Sequence, residues 1–332
     1  MSRIAILGAG AWGTALAISL ARRGGHDLSL WSHTKELAEH LADSGENRAY
    51  LPGFILPVNV RVTHNLPTAI YGADQIVCVV PSQHVREIVT HLAPLLTSEQ
   101  VIVSASKGIE ETTFLRMSQV IASVSNNPCA VLSGPSFAQE VAAGSPTAIV
   151  AAAQDSRVAQ MIQRDFSSAT LRVYTNDDIT GVELGGALKN VIALASGVVT
   201  GLNLGHNSVA ALITRGIAEM TRLAVACGAR RPTLAGLSGI GDLVLTCTGE
   251  LSRNRTVGIE LGRGRALDQI LAGMGGKVAE GIRSTAAALG LAARYGVEMP
   301  ITEQMDAVLH RNKIPSDAIR ELMSRPGRDE YL

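Results

Sequence analysis

The chain has 332 residues, 46% hydrophobic and 17% charged, which is enough for two domains with ample cores and too apolar for disorder. Its 29 basic and 29 acidic side chains cancel, and aromatics make up only 3%, so the basic surface and stacking platforms of a nucleic-acid binder are missing. No apolar run reaches membrane-spanning length without glycine or polar breaks, so no membrane insertion is expected.

The first element is a short apolar strand at 4–7, followed by Gly8-Ala9-Gly10-Ala11-Trp12-Gly13 and a helical pattern over 14–23. Between a strand and a helix, G-x-G-x-x-G has a physical meaning. Gly8 permits a tight turn, Gly10 lets backbone approach a pyrophosphate, and Gly13 lets helix pack on strand. The helix N-terminus then offers free N–H groups and a positive dipole end to phosphate. The plainer alternative is a glycine turn that serves packing alone. Because the chain enters this strand directly, no cleavable leader is expected.

Further strand-like runs lie at 28–31, 75–80, 101–105, 130–132, 148–152 and 171–174, with helical patterns between several of them, such as 34–43 and 85–95. Alternating strands and helices imply βαβ units, an α/β fold and a largely parallel, doubly wound sheet that binds ligands beyond its carboxyl edge. After the run at 28–31, where a carboxylate would grip the 2′-hydroxyl of NAD, the chain reads Ser32-His33-Thr34-Lys35. That neutral-to-basic end accepts NADP and does not forbid NAD. His33 there contacts a phosphate, stacks on adenine, or is an ordinary loop histidine.

Lys107 follows the run at 101–105, on the ligand edge, where a cation polarises a carbonyl or meets a phosphate unless it is simply a solvated loop lysine. Gly134 and Ser136 sit in the next such turn. From about Asp178 strand patterns fade, and helical patterns at 179–200, 208–227, 256–261, 266–274, 282–295 and 301–311 make the second half all-α. Catalysis is expected in the cleft between the halves, divided at 1–177 and 178–332.

Lys189 is the only permanently charged residue between Glu183 and Arg215. In so apolar a helix it either snorkels to water or faces a polar cleft, where burial and a second cation would lower its pKa toward that of a general base. The adjacent Gly185, Gly186 and Asn190 leave room for a ligand or backbone. Asp242 could hold a lysine ammonium. Ser252-Arg253-Asn254-Arg255 offers a planar guanidinium and neutral donors suited to phosphate, or is a charged helix face. Cys78, Cys129, Cys227 and Cys247 form no CxxC pair, which suits a reducing cytoplasm, and no metal site is expected.

Together these segments resemble the bacterial NAD(P)-dependent glycerol-3-phosphate dehydrogenases over nearly the whole chain. The resemblance is carried in order by GAGAWGTALA at 8–17, ASKGIE at 105–110, LSGPSFAQE at 132–140 and GVELGGALKNVIA at 181–193. It continues through ITRGIAEM at 213–220, GDLVLTCT at 241–248, SRNR at 252–255 and VAEG at 278–281. The chain departs from the family at Thr256, where a basic residue is common.

The resemblance implies a Rossmann-like domain before the helical one and interconversion of sn-glycerol 3-phosphate and dihydroxyacetone phosphate with NAD or NADP. It makes Lys189 the proton donor and acceptor and Lys107 a residue of both cofactor and substrate sites. Gly134, Ser136, Asp242, Ser252, Arg253 and Asn254 are then substrate-site residues. Gly8, Gly10, Ala11, Trp12, Gly13, His33, Ala138, Arg253, Val278 and Glu280 belong to the cofactor. It also implies a cytoplasmic homodimer supplying phospholipid synthesis. Two rivals are a hydroxy-acid dehydrogenase, which would not need the phosphate-type SRNR segment, and a dinucleotide sensor, which would not need a lysine in the cleft.

Overall fold

The computed structural model describes residues 1–274, 279–327 and 329–330. Its first part is an eight-stranded sheet: β1 (Ser2–Leu7), β2 (His26–Trp31), β3 (Val60–Thr63), β4 (Gln75–Cys78), β5 (Val101–Ser104), β6 (Cys129–Ser133), β7 (Thr147–Ala153) and β8 (Leu171–Asn176). The spatial order is β3-β2-β1-β4-β5-β6-β7-β8. The direction in which the chain builds the sheet reverses between β1 and β4, and that switch point is where a doubly wound sheet opens a ligand crevice.

Strand β1 shows why both faces are covered. Ile4 and Ile6 enter one core with Leu16 and Leu20 of the helix Ala11–Arg23, while Ala5 and Leu7 enter the opposite core with Val85 and Val89 of the helix Val85–Leu92. Successive side chains point to opposite faces, so a strand buried on both sides reads as a continuous apolar run.

The structure differs from the sequence reading in three places. Strand β3 was not among the expected runs; it is a four-residue edge strand, Val-Arg-Val-Thr, too short to show a period. Strand β7 pairs with β6 antiparallel and with β8 parallel, so the last two strands run against the other six and their carboxyl ends point away from the crevice. The helix expected from residue 14 begins at Ala11, and that expected from 256 begins at Arg253, which places both anion-binding candidates in first turns.

The second part is built around the helix Ile179–Gly201, buried along nearly its whole length. By length and hydropathy this helix could cross a membrane, glycines notwithstanding, but its apolar window lies wholly inside the protein. It crosses the helix Arg253–Gly262 glycine on glycine. A Cβ on Gly197 would overlap the Arg255 carbonyl, and one on Gly258 would overlap the Leu194 carbonyl. Without side chains the two backbones touch, closer than ordinary helix pairs. Farther from the crevice, Glu219 of the helix Gly205–Ala226 is 1% exposed and accepts hydrogen bonds from Ile301 N, Thr302 N and Thr302 Oγ1, capping the helix Pro300–His310.

Candidate active site

The glycine loop is shaped for a dinucleotide. Gly8 has φ +125°, a conformation side chains rarely adopt, and a Cβ there would stand 2.9 Å from the Val79 carbonyl oxygen. A Cβ on Gly13 would overlap the Gly8 carbonyl, whereas one on Gly10 would meet nothing within 4 Å. Gly8 and Gly13 thus serve the turn and the packing, and Gly10 leaves open the cradle that a pyrophosphate would fill. The first turn of Ala11–Arg23 has neither a side-chain cap nor an acidic residue, so its N–H groups remain available to an anion.

Asn47 holds this loop and was missed in the sequence. Fully buried, it donates from Nδ2 to Ala9 O and to Thr14 Oγ1, both at 2.8 Å. Between Glu46 and Arg48 in a polar stretch, nothing in the sequence marked it.

A cleft of about 650 Å³ extends from this loop to the helical part. Gly8, Gly10, Ala11, Trp12, His33, Lys107, Ser136, Ala138, Lys189, Ser252, Arg253, Asn254 and Glu280 all line it. Gly13 lies beneath the loop, and Gly134 and Asp242 stand behind the lining as partners of the lysines. Val278 falls outside the described residues. At the end of β2 the cleft is lined by Trp31, Ser32, His33 and Thr34, with no carboxylate, so nothing there repels a 2′-phosphate.

The two cleft lysines meet at Asp242, which is fully buried. One carboxylate oxygen accepts from Lys189 Nζ and the other from Lys107 Nζ at 2.6 Å. Lys189 Nζ also donates to Thr246 Oγ1 at 2.8 Å, Thr246 donates to the Asp242 carbonyl at 2.6 Å, and Lys107 donates to Gly134 O at 3.1 Å. Thr246 was not singled out in the sequence, although it lies in the GDLVLTCT segment.

Burial brings the Lys189 ammonium down to about 8, helped by Lys107 and opposed by the Asp242 charge. Its side chain does not snorkel; the residue is 7% exposed. The neighbouring glycines explain how so crowded a site closes. A Cβ on Gly185 would overlap the Ser238 carbonyl, in the turn that leads to Asp242, and one on Gly186 would press on Ser133 Oγ.

Beside the lysines, Ser252 caps the helix Arg253–Gly262 by accepting from Arg255 N at 3.2 Å. Asn254 joins three elements: its Nδ2 donates to Asn190 Oδ1 at 3.0 Å, and its Oδ1 accepts from Gly281 N at 3.0 Å. Arg253 is exposed at the cleft and forms no salt bridge among the described residues. Burial raises the Glu280 carboxyl, against the pull of Arg253, Lys107 and Lys189.

Comparisons with known proteins identify the family. Residues 3–159 match the family model for the NAD-dependent glycerol-3-phosphate dehydrogenase N-terminus, and 178–320 match the model for its C-terminus. A relative from Acidobacterium capsulatum, glycerol-3-phosphate dehydrogenase [NAD(P)+], is 62% identical over 99% of this chain and 100% of its own. One of the same name from Koribacter versatilis is 58% identical over 99% of both. The crystal structure of glycerol-3-phosphate dehydrogenase from Coxiella burnetii superposes with a TM-score of 0.94 at 41% identity, covering 98% of this chain and 99% of that one. The chain belongs to the NAD(P)-dependent glycerol-3-phosphate dehydrogenases, a family of oxidoreductases whose nicotinamide dinucleotide fits the glycine cradle of this cleft.

Proposed function

We propose that the chain interconverts dihydroxyacetone phosphate and sn-glycerol 3-phosphate, with Lys189 moving the proton at the substrate oxygen. The observation that carries this reading is Lys189 itself, buried at the wall of the cleft with its Nζ held on Asp242 and Thr246. When bound, the nicotinamide supplies or accepts the hydride. As a ketone is reduced, negative charge grows on its oxygen, and the Lys189 ammonium stabilises that charge and gives up a proton. In the reverse direction neutral Lys189 takes the alcohol proton. Such help is worth ~10²–10⁴-fold.

Asp242 orients both ammonium groups and keeps Lys189 from losing its proton too readily. Lys107 stands where substrate and dinucleotide meet. Arg253, Asn254 and Ser252, at a helix N-terminus, receive the substrate phosphate, with Ser136 on the cleft lining and Gly134 behind it holding Lys107. That remote anchor orients the reacting carbon. Gly8, Gly10, Ala11, Trp12, His33, Ala138, Arg253 and Glu280 hold the dinucleotide, and Gly13 supports them from beneath.

In this reading residues 1–177 bind the cofactor and 178–332 carry the substrate chemistry. The enzyme works in the cytoplasm as a homodimer, and its product feeds glycerophospholipid synthesis. The test is oxidation of NADH and of NADPH, with and without dihydroxyacetone phosphate. Oxidation that depends on this substrate is expected; cofactor binding without substrate-dependent turnover would overturn the reading.

A further inference from the structure

Immediately after Lys107 and Gly108, residues 109–116 form a closed loop outside the cleft. Ile109 and Arg116 pair as an antiparallel bridge, Glu110 N donates to Leu115 O at 2.9 Å, and Phe114 N donates to Glu110 O at 2.9 Å. The base is gripped by Arg86 of the helix Val85–Leu92, whose Nε and Nη2 donate to the two Glu110 carboxylate oxygens at 2.7 and 2.8 Å.

The tip reaches across to the helical part. Phe114 has φ +58°, an unfavourable conformation for a bulky aromatic residue. Its ring packs with the helical core and lies directly on Gly290, inside the helix Glu280–Tyr295; a Cβ on Gly290 would overlap the ring. One turn further on, the Arg294 guanidinium lies over the ring, 5.0 Å from its centroid, and Arg294 Nη1 donates to Thr113 O at 3.0 Å. A strained backbone, a glycine within a helix and a stacked cation therefore meet at one point.

The two segments joined here both end in the cleft. The loop begins just after Lys107, and the helix begins with Glu280, about 15 Å from Gly290 at the helical rise. We propose that Phe114 is a positioning residue for the dinucleotide: seated on Gly290 beneath Arg294, it fixes the Lys107 loop relative to the helix that presents Glu280. This rests on the reading that Lys107 and Glu280 meet the cofactor. Strain of this kind persists where surrounding contacts over-determine it, which is common near functional sites.

The test measures NADH affinity directly by fluorescence titration, beside steady-state kinetics, in Phe114→Gly and Gly290→Ala. Both substitutions suit the local backbone, glycine at a positive φ and alanine in a helix; the first removes the ring and the second fills its seat. In both, Kd and KM for NADH are expected to rise roughly tenfold while kcat stays within about twofold. NADH affinity within about twofold of the parent in both variants, whatever happens to Tm, would overturn the proposal, since a structural contact alone would move only stability. A parent protein that binds NADH without reducing dihydroxyacetone phosphate would overturn the reaction assigned above and leave this binding test intact.

Discussion

Asp242 and Glu219 are both buried carboxylates of the helical part, at 0% and 1% exposure, yet they do opposite things. Glu219 is met by two backbone N–H groups and a hydroxyl, fixed neutral dipoles that close the start of a helix. Asp242 is met by two lysine ammonium groups, both of which line an open cleft. Burial by itself therefore marks neither one as functional. The difference lies in whether the partners can exchange a proton with something that enters from solvent. Burial pushes the Glu219 carboxyl up, but no cleft-lining residue shares that change, whereas the depressed Lys189 borders the space that a substrate would occupy.

The comparison breaks most sharply at Lys189. Lys189→Ala should lower turnover by roughly 10²–10⁴-fold while NADH affinity stays within about threefold, measured by steady-state rates and direct titration. Equal loss of both would remove its proton-transfer role.

Asp242→Asn should have a smaller effect, a fall of about tenfold or more near neutral pH. Its charge raises the Lys189 pKa, so the inflection in the pH–rate profile should move below about 8. An unmoved inflection would show that the titrating group is not coupled to Asp242.

In the parent enzyme the sign follows from which form works. Ketone reduction needs the charged lysine, so its rate should decline about tenfold per pH unit above about 8. Alcohol oxidation needs the neutral lysine and should rise up to that pH and then level off. Parallel profiles in the two directions would contradict the assignment.

Glu219→Ala should leave kcat within about twofold and act on stability alone. Two helix-start N–H groups lose their acceptor, at roughly 1–3 kcal/mol each, so Tm should fall by at least several degrees in a thermal melt. A large loss of turnover in the folded variant would erase the contrast with Asp242.

Much of the site was legible because it breaks local patterns. Three glycines between a strand and a helix, a lone charge in an apolar helix and two arginines beside Ser and Asn stand out against their neighbours. Their meeting is not legible, since Asp242 lies 135 residues from Lys107 and 53 from Lys189. Asn47 carries no sequence signal because its importance lies in the Ala9 carbonyl it finds across the fold. Strand direction is also absent from a strand's own residues, which is why β7 and β8 read like the others yet run backwards. Phe114 looks like any hydrophobic residue until its backbone angle and its glycine seat are known.

The crossing of Ile179–Gly201 with Arg253–Gly262 has a thermal consequence. Backbone rests on backbone there, so the contact has no rotamers to freeze on folding and none to loosen on warming. Lys189 and Asn190 on one helix and Asn254 on the other thus keep their mutual distances without relying on side-chain order at the crossing. On heating, the register between Lys189 and Asn254 should persist until the helices themselves part, so that activity and fold vanish at one temperature instead of in sequence.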